Sequence, residues 1–142
     1  MKYISWNCRG LGRNMKEEAL KDIVKMYAPE FLLIQETKLE DLALHQASKR
    51  FWKKVQVKVV SSRGVSGGLA TCWNSTKFVL SAEDHTLHWI FTKLIHKEFG
   101  HQVSLFNLYV LVLLSEKKIL LGLPKVLHKH ARPIKLNHCR GP

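Results

Sequence analysis

Asn7 and Glu36 are the residues whose type and position could carry chemistry, because each stands where a run of strand-forming residues gives out. Phe31-Leu32-Leu33-Ile34 is four consecutive apolar residues, the pattern of a strand buried on both faces, and it runs directly into Gln35-Glu36-Thr37-Lys38. A carboxylate held at such a strand end can grip a hard cation or polarise a water, since ligands bind beyond strand ends in sheets covered by helices. The plainer reading is that a strand must end somewhere and that Glu is common at surfaces. Lys2-Tyr3-Ile4-Ser5-Trp6-Asn7 alternates in β-fashion and ends in an amide, followed by the two-glycine loop Cys8-Arg9-Gly10-Leu11-Gly12.

Between the two strands, apolar residues at 19, 20, 23, 24, 26 and 27 predict an amphipathic helix over 14–27, with Asn14 as its N-cap. Strand, helix and strand in that order favour a right-handed crossover and parallel neighbours, which sets Asn7 and Glu36 side by side at one sheet edge. A second helix is expected from Asp41 to Trp52 and a half-buried strand over Val55-Gln56-Val57-Lys58-Val59. The Ser- and Gly-rich loop 61–68 then leads into strand Leu69-Ala70-Thr71-Cys72-Trp73. Its glycines read first as a hairpin connection or bulge, and second as backbone that lets a phosphate approach with Arg63 reaching it. Residues 77–82, 87–95 and 102–110 predict three further strands joined by short turns, hence antiparallel, in a sheet that is mixed overall.

Ser5-Trp6-Asn7-Cys8-Arg9-Gly10-Leu11-Gly12 and Leu33-Ile34-Gln35-Glu36-Thr37-Lys38 resemble the first two motifs of the endonuclease/exonuclease/phosphatase superfamily. The Asn-Cys-Arg-Gly-Leu-Gly wording is most similar to the endonuclease domain of plant non-LTR (LINE-type) retrotransposons. Asn107-Leu108-Tyr109-Val110 resembles the third signature up to Tyr109, after which Leu111 and Val112 replace the usual Pro and Asn. The resemblance implies an α+β fold, a two-sheet β-sandwich flanked by helices of the DNase I-like type, of which this chain holds roughly the first half. It implies residues 1–114 as the N-terminal part of that domain, with 115–142 a basic helix and tail.

By the same resemblance Glu36 is the principal ligand of a Mg²⁺ ion, with Mn²⁺ as an alternative. Asn7 orients it or the phosphate, Tyr109 lies near the scissile phosphate, and the reaction is phosphodiester hydrolysis on DNA. Arg9, Lys38 and Arg63 are the cations expected to meet nucleic acid. The family's later Gly-Asp-Phe-Asn type motif and its C-terminal carboxylate-histidine pair have no counterpart, and after Glu116 there is no Asp or Glu. Glu83 and Asp84, or His128 and His130, could only be nominated as substitutes. Two expectations follow: a hydrolase whose activity is impaired or absent, or a non-catalytic, basic nucleic-acid-binding remnant of a retrotransposon reading frame. A second sheet mostly missing, with apolar faces exposed, is expected as well.

Composition bounds the partners. The 142 residues amount to one domain, and 23 Lys+Arg against 11 Asp+Glu give a formal net charge of +12. Such a balance attracts a polyanion such as nucleic acid, or an anionic membrane surface; the family resemblance implies DNA, with RNA as an alternative and no membrane. No Asp or Glu occurs from Leu42 to Ala82, while Lys49, Arg50, Lys53, Lys54, Lys58, Arg63 and Lys77 do. Residues 115–142 carry seven Lys/Arg against Glu116, a net of +6. Cys8, Cys72 and Cys139 are odd in number and far apart, which argues against a disulfide framework and for a reducing nuclear or cytoplasmic setting rather than secretion. The longest apolar run, Leu105 to Leu114, is too short for a membrane span.

Overall fold

The computed structural model describes residues 1–12, 14–64 and 66–109. Over these the chain forms β1 (Tyr3–Asn7), α1 (Asn14–Tyr27), β2 (Phe31–Gln35), α2 (Asp41–Phe51), β3 (Val55–Val60), β4 (Leu69–Asn74), β5 (Phe78–His85), β6 (Trp89–His96) and β7 (Gln102–Leu108). The expected basic helix and tail over 115–142, with Leu111, Val112, His128 and His130, lie outside the described residues.

β1 and β2 are parallel neighbours, as the α1 crossover between them requires. β2 and β3 each pair antiparallel with β4, giving the order β1-β2-β4-β3. That sheet is mixed. The three later strands do not join it, contrary to the expectation of one mixed sheet; β5-β6-β7 is a separate antiparallel sheet. The reason lies in the first sheet's second face, where Phe31, Leu33 and Trp73 need cover, and Phe78, Leu94, Val103 and Leu105 supply it. The second sheet, expected to be mostly missing, is thus represented by three strands. Its outer side still shows half-buried rings, with those of Phe91 and Phe106 tilted at 39° and their centroids 5.1 Å apart.

The unbroken apolar run of β2 follows from this layering. Leu32 and Ile34 pack with Leu20, Leu44, Ala47 and Phe51 of the helices, while Phe31 and Leu33 face the second sheet. Each of those four β2 side chains is at most 2 % exposed, so burial of both faces outweighs any need for alternation. α1 and α2 are clasped by Arg50, whose Nε and Nη2 donate to the Glu17 carboxylate at 2.9 and 2.7 Å. That hydrogen bond holds the Glu17 carboxyl below its usual range.

A polar network crosses the apolar interface between the sheets. Asn107 of β7 is fully buried; its Nδ2 donates to Ile34 O at 3.2 Å and to Ala70 O at 2.9 Å, and its Oδ1 accepts from Gln35 Nε2 at 2.7 Å. Gln35 Nε2 also donates to Ser5 Oγ at 3.1 Å. β1, β2, β4 and β7 are therefore joined by one amide pair. Replacing Asn107 by Leu keeps the number of side-chain heavy atoms but removes the acceptor of the Gln35 amide and the donor to the Ile34 and Ala70 carbonyls. We expect Asn107→Leu to lower unfolding free energy by about 1–3 kcal/mol, the cost of a buried polar group left without its partner, read as a lower urea midpoint at unchanged slope.

Candidate active site

The edge where β1 and β2 end is built mainly from backbone. Asn7 and Gln35 are register partners, which places Glu36 one residue beyond. The pairing continues past both strands: Cys8 N–H donates to Gln35 O at 3.0 Å, Gly10 N–H to Glu36 O at 2.7 Å and Leu11 N–H to Thr37 O at 2.8 Å. On the other flank Thr37 N–H donates to Gly68 O at 3.2 Å and Lys38 N–H to Gly67 O at 3.0 Å. Residues 36–38 are held from both sides.

This grip forces unusual backbone. Arg9, Glu36 and Lys38 adopt φ of 51°, 53° and 54°, the left-handed region that side chains ordinarily avoid. Such conformations, each costing about 1–3 kcal/mol, persist only where surrounding structure over-determines them, and they cluster at functional sites. Gly68 explains how the grip is possible. Its φ is +91°, and a Cβ there would lie 2.2 Å from Thr37 Oγ1.

The side chains fall as follows. Asn7 is exposed and its Oδ1 accepts the Arg9 N–H at 3.3 Å, which folds the loop back on the strand end. Glu36 is half-buried, and among the described residues no hydrogen bond or ion pair engages its carboxylate. Lys16 Nζ reaches from α1 to the carbonyls of Cys8 and Arg9 and fixes the loop from behind. Tyr109, just past β7, is 8 % exposed and packs with Val60, Leu69 and Ile90. Leu69 is the register partner of Gln35, so Tyr109 belongs to the same rim as Glu36. Arg9 and Lys38 are exposed on that rim.

Arg63 stands apart. It closes a tight turn with Ser66 and lines a cleft of about 480 Å³ with Asp41, Ser61, Ser62 and His85, further along the rim beyond β3. The loop that carries it is the β3–β4 hairpin connection, the first of the two readings given above. Glu83 is engaged by Lys58 at 2.7 Å on the β3 side of β4, away from β2.

Among the described residues no three His, Cys, Asp or Glu side chains converge as a metal-binding group. The oxygen donors at the edge are the Glu36 carboxylate and the Asn7 amide. That set suits a hard cation that keeps several waters and is held by one or two carboxylates together with substrate phosphate. Cys8, between them, is not a nucleophile at neutral pH: burial pushes its thiol up to about 11, against the opposing pull of the Gly10 N–H and the Lys16 ammonium.

Sequence reasoning passed over Asn107, Gln35, Lys16 and the Thr37–Gly68 contact. For Asn107 a signal existed: Val103, Leu105, Asn107 and Tyr109 are the inward set of the strand, and a polar residue in an inward position must have partners there.

The sequence profile described as Endonuclease/Exonuclease/phosphatase family matches residues 4–137. No curated protein matches the chain. Among solved structures, D. rerio TDP2 complexed with single strand DNA product is similar at TM-score 0.65 and 18% identity, over 93% of this chain and 56% of that one. The Leishmania major AP endonuclease LMAP gives TM-score 0.56 and 23% identity, over 78% and 40%. The Neisseria 3' phosphatase NExo bound to product DNA hairpin gives 0.54 and 19%, over 77% and 41%. The chain spans about half the length of these neighbours. At such identities the likeness concerns the fold, the partial two-sheet α+β architecture.

Two outcomes are expected of this edge. Gly68→Ala must displace Thr37 or strain the left-handed turn, and should lower stability by more than about 1 kcal/mol, measured by thermal unfolding. The folded Cys8 thiol is raised, so its contribution to stability is complete below the unfolded value of about 8.5 and is lost as pH rises toward about 11. Iodoacetamide at pH 8 should therefore label Cys8 about 200-fold more slowly in the folded chain than in urea, by thiolate fraction, as followed by peptide mass.

Proposed function

The chain belongs to the endonuclease/exonuclease/phosphatase family, and from that premise we propose that its Asn7–Glu36 edge serves metal-assisted phosphodiester hydrolysis on DNA. The observation that carries the reading is Glu36 itself: a half-buried carboxylate without a protein partner among the described residues, on backbone locked at φ +53° between two flanking segments. Glu36 and Asn7 would hold Mg²⁺, or Mn²⁺ in its place. Bound there, the ion would supply Lewis-acid polarisation of the phosphate and a more acidic water.

The chain's own groups bind and orient. Arg9 and Lys38 flank Glu36 and bring positive charge to a phosphodiester, and the anchored Asn7 amide points the strand end at it. Tyr109, on the same rim, would lie beside the scissile phosphate, a role supported by its match to the family's third signature. Two structural neighbours were solved with DNA, TDP2 with a single-strand product and NExo with a product hairpin; their substrate class is the one we carry over. Within the family, our reading is that the chain is of the LINE-type retrotransposon endonuclease kind, which the wording from Asn7 to Gly12 supports.

A second reading has its own observation. The described edge offers one carboxylate, whereas groups that act as a unit in hydrolysis lose orders of magnitude in rate when one is missing. On that reading the chain is a basic nucleic-acid-binding protein with inherited motifs. Nicking of supercoiled plasmid and of an abasic-site duplex separates the two. We expect Mg²⁺-dependent nicking that chelator abolishes and that Glu36→Gln lowers by about 100-fold or more. Binding that falls steeply with salt, with no nicking at any metal concentration, would establish the second reading instead.

A further inference from the structure

The pole opposite the Glu36 edge carries a second surface. There the α2–β3, β4–β5 and β6–β7 turns are stitched together. Ser75 N–H and Oγ both donate to Lys54 O at 2.9 Å, Lys97 Nζ donates to Ser75 O at 2.7 Å, and Lys97 N–H donates to Lys77 O at 2.8 Å. Lys53, Lys54, Lys77 and Lys97 are all exposed on these turns. Two carboxylates accompany them, Glu30, which pairs with Lys77 at 3.4 Å, and the exposed Glu98.

At the centre of the β6–β7 turn, Phe99 is 71 % exposed, an aromatic ring left largely in water. Its orientation is nevertheless fixed. His96 Nδ1 accepts both the Glu98 and Phe99 N–H groups at 3.2 Å, and the His96 ring lies 4.8 Å from the rings of both Phe99 and His101. The Phe99 and His101 rings are within 8° of parallel. Flat, exposed rings on turns joined to others that carry ammonium groups meet the two needs of an unpaired strand, faces on which bases stack and cations that follow its phosphates. A duplex keeps its base faces covered and gains only the charge.

We propose that this pole is a single-stranded nucleic-acid site, with bases stacked on Phe99 and His101 and phosphates against Lys53, Lys54, Lys77 and Lys97. It lies at the far ends of the strands from Glu36, so the chain can hold an unpaired strand there and a phosphodiester at the edge at once. Its occupancy requires neither metal nor cleavage.

The test uses the full chain and a 20-nucleotide oligonucleotide carrying 5-iodouracil, photo-crosslinked and mapped by peptide mass, with anisotropy for affinity. We expect a crosslink within the peptide that holds Phe99 and His101, and a loss of about fivefold or more in affinity for Phe99→Ala. A duplex of the same length should give no crosslink there, and the crosslink with the single strand should form equally with chelator present. An oligoribonucleotide of the same sequence tells whether RNA or DNA is preferred. Crosslinks confined to other segments, or a Phe99→Ala affinity within twofold of wild type, would overturn the proposal without touching the hydrolytic reading.

Discussion

The Asn107 side-chain amide sits fully buried between two sheets, and it is tolerable there only because it is saturated. A buried amide without partners costs about 1–3 kcal/mol. Asn107 instead donates to carbonyls of β2 and β4 and accepts from Gln35, which in turn reaches Ser5 on β1. These bonds are directional where the surrounding apolar contacts are not. They allow one relative placement of the two sheets, and with it the approach of β7's end, carrying Tyr109, to the end of β2, carrying Glu36.

The edge itself depends on main chain rather than on side chains. Glu36 is aimed by peptide groups that bond to the loop after β1 on one flank and to Gly67 and Gly68 on the other. Three left-handed non-glycine residues lie within this small region, while Ala28 is the one other among the described residues. The strain is sustained by hydrogen bonds on both flanks, which is how a fold can hold a carboxylate in a fixed position without neutralising it. That economy comes with a constraint, since Gly68 has no room for a methyl group.

Most of the architecture was legible because its signals are local. The run at 31–34, the helical spacing at 14–27 and the alternation at 55–59 each follow from burial on two faces, one stripe or one face, and the structure reproduces them within a residue or two. The adjacency of Asn7 and Glu36 was legible too, since a crossover of known hand leaves little choice. What the sequence could not convey was partnership at a distance. Nothing near residue 107 says that its amide meets residues 34, 35 and 70, and nothing near residue 68 says that Thr37 presses on it. The expectation that β5–β7 belong to one mixed sheet failed for the same reason: strand order is local, whereas the choice between extending a sheet and covering it depends on which apolar face is left bare.

The two proposed sites stand at opposite poles, the carboxylate-bearing edge at one and the lysine-rich turns at the other. The central claim is that Glu36 and Asn7 form a cation site. The most direct measurement is paramagnetic broadening of amide resonances by substoichiometric Mn²⁺ on the isotope-labelled full chain. The account predicts broadening centred on residues 7–10, 35–38 and 67–68 that disappears in Glu36→Gln. Broadening centred elsewhere, or unchanged by that substitution, would contradict it.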